Sequence, residues 1–69
     1  MLQQILEFLL QSGWKDLAGD TLQMSKQYDV ATHMVITYWE TPNYVVTLDD
    51  VSEINLDFEN RTFKIWTKE

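Results

Sequence analysis

The chain reads as an α+β domain: a short N-terminal helix packed on a twisted antiparallel sheet of four to five strands, left open or curled into a small half-open barrel. Three observations carry this reading. Apolar residues recur at helical spacing in the first ten positions, they alternate at period two in the C-terminal third, and the segment between is rich in β-branched and aromatic residues. No internal repeat, low-complexity tract or linker interrupts the chain, so residues 1–69 are read as one domain.

The helix comes first. Leu2, Ile5, Leu6, Leu9 and Leu10 sit at i, i+3, i+4, i+7 and i+8, with Gln3, Gln4, Glu7 and Gln11 outside the stripe and Phe8 on its flank. Gly13 is placed to end it. A helix of about ten residues is marginal alone in water, so it must dock, and the sheet is the available surface. Trp14–Asp20 is a connector. Thr21–Tyr28 fits a strand, with Leu22, Met24 and Tyr28 on one side and Gln23, Ser25 and Gln27 on the other. A helical face of Leu17, Thr21, Met24 and Tyr28 is the competing pattern; the cleaner alternation and the strand that follows favour the strand.

Thr32–Glu40 has the strongest β composition, and both of its faces are apolar, which predicts a central strand covered on both sides. Thr41-Pro42-Asn43 is a turn, of two or three residues, and Tyr44–Leu48 returns as the next strand. The last hairpin is the clearest element. Ile54, Leu56 and Phe58 alternate with Glu53, Asn55, Asp57 and Glu59; after Asn60-Arg61, Phe63 and Ile65 alternate with Thr62, Lys64 and Trp66. A loop centred on Asn60-Arg61 would oppose Phe58 to Phe63, Leu56 to Ile65, Asp57 to Lys64 and Glu53 to Lys68, putting apolar pairs on one face and opposite charges on the other.

Composition narrows the function classes. The chain has no cysteine, so disulfides, thiolate metal sites and cysteine nucleophiles are out, and a reducing compartment fits. A net charge of −6 disfavours direct nucleic-acid binding, which needs clustered Lys and Arg to displace counterions, and disfavours an anionic membrane surface. No apolar run approaches a membrane span, and Met1–Leu10 lacks the basic start and cleavage site of a signal peptide, so a cytoplasmic location is expected.

No catalytic constellation stands out, and the chain is read as non-enzymatic, with no cofactor, metal or small-molecule substrate. His33 is the single histidine, and only a pairing with Asp49 or Asp50 would support an enzyme. Six acids and no base lie between Glu40 and Glu59, but the twelve-residue calcium loop and its central glycine are missing. Asn60-Arg61-Thr62 is turn chemistry, and neither glycine sits in a phosphate loop.

One helix covers one face of a sheet, so a face bearing Trp and Tyr is left over. The expected function is therefore a small acidic protein-binding or regulatory module, a homodimer or docked on a larger protein. Trp66, on an otherwise polar face, Tyr38, Tyr44 and the acids Asp49, Asp50 and Glu53 are the candidate contact residues. For Trp66 the competing role is cross-strand packing over Asn55. The alternative function is an acidic mimic of nucleic acid that inhibits a nucleic-acid-binding protein, which would need carboxylates in phosphate-like rows and steeply salt-dependent binding.

Overall fold

The computed structural model describes every residue from Met1 to Glu69. One helix, α1 (Leu2–Ser12), is followed by six strands: β1 (Lys15–Asp16), β2 (Gln23–Asp29), β3 (Met34–Thr41), β4 (Tyr44–Val46), β5 (Val51–Asp57) and β6 (Thr62–Thr67). The α+β class stands, with the helix against antiparallel strands. The strands divide into two three-stranded sheets, β1-β6-β5 and β2-β3-β4, neither closed into a barrel. The division adds a strand that alternation could not reveal: β1 is two residues long and pairs parallel to β6, Lys15 beside Thr62 and Asp16 beside Phe63.

α1 ends at Gly13, whose φ of 71° is left-handed and so favours a residue without Cβ. Leu6 and Leu9 bury fully, and the helix lies against β5. They meet Trp14, Leu22, Trp39, Val46, Val51 and Phe63 in one core drawn from the helix, the connector and both sheets. Trp14 is gripped edge-on by Phe8 and Phe58, with ring centroids 5.3 and 5.1 Å away. The connector after β1 is a turn wound on Asp16: its Oδ1 accepts the N–H groups of Ala18 and Asp20 at 3.0 and 2.9 Å. The carboxylate is buried because these two donors replace water.

The strand reading of residues 21–28 holds: β2 pairs with β3 from Gln23 opposite Glu40 to Asp29 opposite Met34. The loop after β3 has two residues, Pro42 and Asn43, so Trp39 opposes Val46 and both enter the core. β3 is central in its sheet but is not covered on both sides. Only its C-terminal half reaches the core; Met34 and Val35 are 63% and 61% exposed. The distal parts of β2 and β3 form a two-stranded arm beyond the body, and the molecule measures 43 × 22 × 22 Å. Its radius of gyration is 12.4 Å, against about 11 Å for a compact chain of this length.

The last hairpin forms in a different register from the expected one. Leu56 opposes Phe63, Ile54 opposes Ile65, Asn55 opposes Lys64, and Asp57 opposes Thr62 across a four-residue loop, Phe58–Arg61. The offset is two positions, so the apolar and polar faces stay as expected while the charge pairs Asp57–Lys64 and Glu53–Lys68 do not form. Asp57 causes the offset. Its Oδ1 accepts the N–H groups of Glu59 and Asn60 at 3.1 and 3.2 Å, and its Oδ2 accepts the Asn60 amide at 2.8 Å. An aspartate that accepts from the residues after it starts a turn at its own position, and this one ends the strand before Phe58 can enter it. Phe58 is thereby released to the loop, where it packs on Trp14.

The arm closes in the same way. Asp29 Oδ1 accepts the Ala31 N–H at 3.0 Å and its Oδ2 accepts the Thr32 hydroxyl at 3.1 Å. Each loop then ends on a non-glycine residue with positive φ four positions after its aspartate, His33 at 56° and Arg61 at 55°. His33 is therefore the last residue of a turn and not part of the strand.

Candidate functional site

The six candidate contact residues fall in three places. Trp66 and Glu53 are opposed on neighbouring strands of the β5–β6 hairpin, on its outer face. Trp66 is 45% exposed; its indole N–H donates to Asn55 Oδ1, and the Lys64 ammonium sits 4.3 Å from the ring centroid. The packing role over Asn55 is thus realised, with one ring face engaged by a cation. Asp49 and Asp50 lie in a single 3₁₀ turn, Leu48–Asp50, between β4 and β5. Asp50 Oδ2 accepts the Thr47 backbone N–H at 2.9 Å and the Thr47 hydroxyl at 3.0 Å, and these bonds hold its carboxyl below the ordinary range. Asp50 is therefore a structural cap. Asp49 lines an open groove of about 300 Å³ with Gln3, Thr37 and Trp39, where the arm leaves the body.

Tyr44 and Tyr38 belong to the other sheet. Tyr44, half-buried in β4, lines a recess of about 250 Å³ with Asp16, Asn43 and Lys64. Burial pushes its phenol pKa up, and the Asp16 carboxylate adds to this by repelling the phenolate. Tyr38, half-buried on β3, lines a shallow pocket with Gln27, Tyr28 and Ile36 on the arm. No single patch collects all six residues. His33, at the arm tip, has its Nδ1 3.1 Å from the Tyr28 hydroxyl, and the Asp50 carboxylate is bonded to Thr47.

The arm is the feature that the sequence reading missed. Residues opposed across β2 and β3 share a face, so Met24, Lys26 and Tyr28 lie on one side with Thr37 and Val35, while Ser25, Gln27 and Asp29 lie on the other with Tyr38, Ile36 and Met34. Met24, Tyr28, Val30, Met34 and Val35 are all exposed. Strong β composition on both faces suggested a covered strand. The contrary signal was Asp29 with the four residues after it, a turn set so far along the chain that the strands beside it outrun the body.

A second apolar surface lies where α1 meets the end of β5: Ile5, Phe8, Leu56 and Phe58 line a groove of about 270 Å³. No protein-family model, no curated protein and no solved structure matches the chain. No helix is long and apolar enough to cross a membrane.

Proposed function

We propose that the protein is a non-enzymatic protein-binding module whose working element is the β2–β3 arm. One observation carries this: apolar side chains stand exposed on a two-stranded ribbon that projects from a packed body. A two-stranded hairpin is marginal in water without a third strand or a covering layer. An arm of this kind gains both when a partner strand or surface comes to it. Tyr28 and Met24 are suited to that contact, since aromatic residues and methionine are enriched at interfaces.

Site-specific photo-crosslinking tests the reading. A photoreactive residue at Tyr28 is expected to give a covalent adduct with a protein in the native cell, and the same residue at Glu59, on the opposite hairpin loop, is expected to give none. Equal labelling from both positions, or none from Tyr28, refutes the arm as the binding element.

The acidic-mimic reading has less to support it. Asp50 and Asp57 direct their carboxylates into their own turns, which leaves fewer of them free to imitate a row of phosphates. Binding that falls steeply with salt would restore it.

A further inference from the structure

Four strands end a sheet, and three of those edges are guarded. β1 is two residues long and β4 is three. β5 has a register shift between Val51 and Glu53 and has α1 packed against it. Short strands, bulges and covering helices are the devices by which proteins prevent edge-to-edge pairing. The outer edge of β3, free from Met34 to Tyr38, looks across the 300 Å³ groove at Gln3 and Thr47 of its own chain. β2 is different. It is seven residues long, pairs with β3 without a register shift, contains no proline, and has no strand on its other side; its one guarding residue is the single Lys26.

We infer that this edge is the site of a second copy of the chain, with β2 paired antiparallel to β2 of the partner about a two-fold axis at Gln27. The inference rests on the arm being the binding element, as proposed above, and names its occupant. The two sheets then fuse into one of six strands, β4-β3-β2 continued by the partner's three.

Two arguments select a second copy and this centre. The first is the side-chain pattern. An isologous contact must be self-complementary. Centred on Gln27, Lys26 lies over the ring of Tyr28 in the partner subunit, Ser25 meets Asp29 of the partner subunit, and the two Gln27 amides face each other. A cation over a phenol ring, a hydroxyl on a carboxylate and an amide pair are each favourable, and no like charges are opposed. Centred on Lys26, the two ammonium groups would meet; centred on Ser25, Lys26 would face Met24.

The second argument is charge. Lys26 and Asp29 are the only formal charges from Gln23 to Tyr38, so the arm is neutral and the whole −6 lies on the rest of the chain. β2 runs from body to tip. Antiparallel pairing sets each tip beside the other's root and holds the acidic bodies at opposite ends, and a centre at Gln27 keeps them farther apart than one at Ser25. Two copies meeting body to body would instead bring like charge together.

The test is a charge swap on the axis, read by sedimentation velocity across a concentration series. The wild type is expected to sediment as a dimer of the 8.2 kDa chain. Gln27→Glu and Gln27→Lys, at an exposed position, should each keep the far-ultraviolet circular dichroism and each weaken dimerisation at least tenfold. An equimolar mixture of the two should restore it, because unlike charges then meet at the axis. A wild type that stays monomeric at every concentration overturns the inference, as does dimerisation unaffected by either variant, or a mixture that fails to recover. A monomer that still crosslinks another protein through position 28 removes the second copy and keeps the binding role; a monomer without any such adduct removes both.

Discussion

Trp39→Phe is expected to leave the protein within about 1 kcal/mol of the wild type, although it truncates a core residue. Trp39 is 3% exposed, and its indole Nε1 is buried without a hydrogen-bond partner. An unsatisfied buried donor costs about 1–3 kcal/mol, and phenylalanine removes it. The smaller ring gives up about 1 kcal/mol of transfer free energy and leaves a void of about 40 Å³, which at about 24 cal/mol per Å³ costs about 1 kcal/mol more. Gain and cost oppose each other, and the balance lies between about 1 kcal/mol against the variant and about 1 kcal/mol in its favour. Trp39→Ala keeps the gain but empties the site, and truncations of that size cost about 3–5 kcal/mol. A chain of this length has about 3–10 kcal/mol in total, so the alanine variant should be largely unfolded at 37 °C. Urea denaturation followed by circular dichroism at one fixed protein concentration separates the cases, since a change in dimer population would itself shift the midpoint. A loss of 2 kcal/mol or more in Trp39→Phe would mean that the indole N–H has a partner, and the reasoning would fail.

Gly13→Ala should cost about 1 kcal/mol, because a Cβ at φ 71° is strained although open space surrounds it, and Gly13→Asn should cost less; thermal melts rank the two. Asp50 and Asp57 have folded-state pKa values below their unfolded ones, so the stability they add is present above about pH 4 and is lost as pH falls through the lower folded values. Replacing both by Asn should flatten that acid limb in a pH series of urea midpoints. Tyr44 has the opposite sign: its folded pKa is raised, the unfolded chain loses its proton first, and stability should fall as pH rises above about 10. Tyr44→Phe should remove that alkaline loss, and an unchanged alkaline limb would count against the burial of the phenol.

Periodicity made the helix, its glycine stop and the existence of each main strand legible, because burial imposes period 3.6 or period 2 on any chain. It made the two faces of the β5–β6 hairpin legible for the same reason. The register was not legible from alternation, since a shift of two leaves both faces unchanged. The information was in the carboxylate of Asp57, which chooses where the strand stops. β1 was illegible because two residues have no period. The candidate contacts follow from a sheet face that one helix leaves bare, whereas the expected cover over both faces of β3 rests on equating strong β composition with burial. Trp39 rewards that assumption and Val35, four positions earlier on the same face, does not. Composition records how well a residue suits a strand, and the distance of that strand from the helix is set by topology.

The parallel pair of β1 and β6 has a consequence for how the protein is made. It joins residues 15 and 16 to residues 62 and 63, so the body cannot close until nearly the whole of this sequence has left the ribosome. The β2–β3 hairpin needs only near neighbours and can form within microseconds, long before that closure. For an interval the nascent chain then carries this hairpin, marginal by itself and open along one edge, on an unfinished body, at the stage when misassembly is easiest. Pairing ribbons from neighbouring chains of one polysome would cover that edge early, and assembly would precede folding of the body.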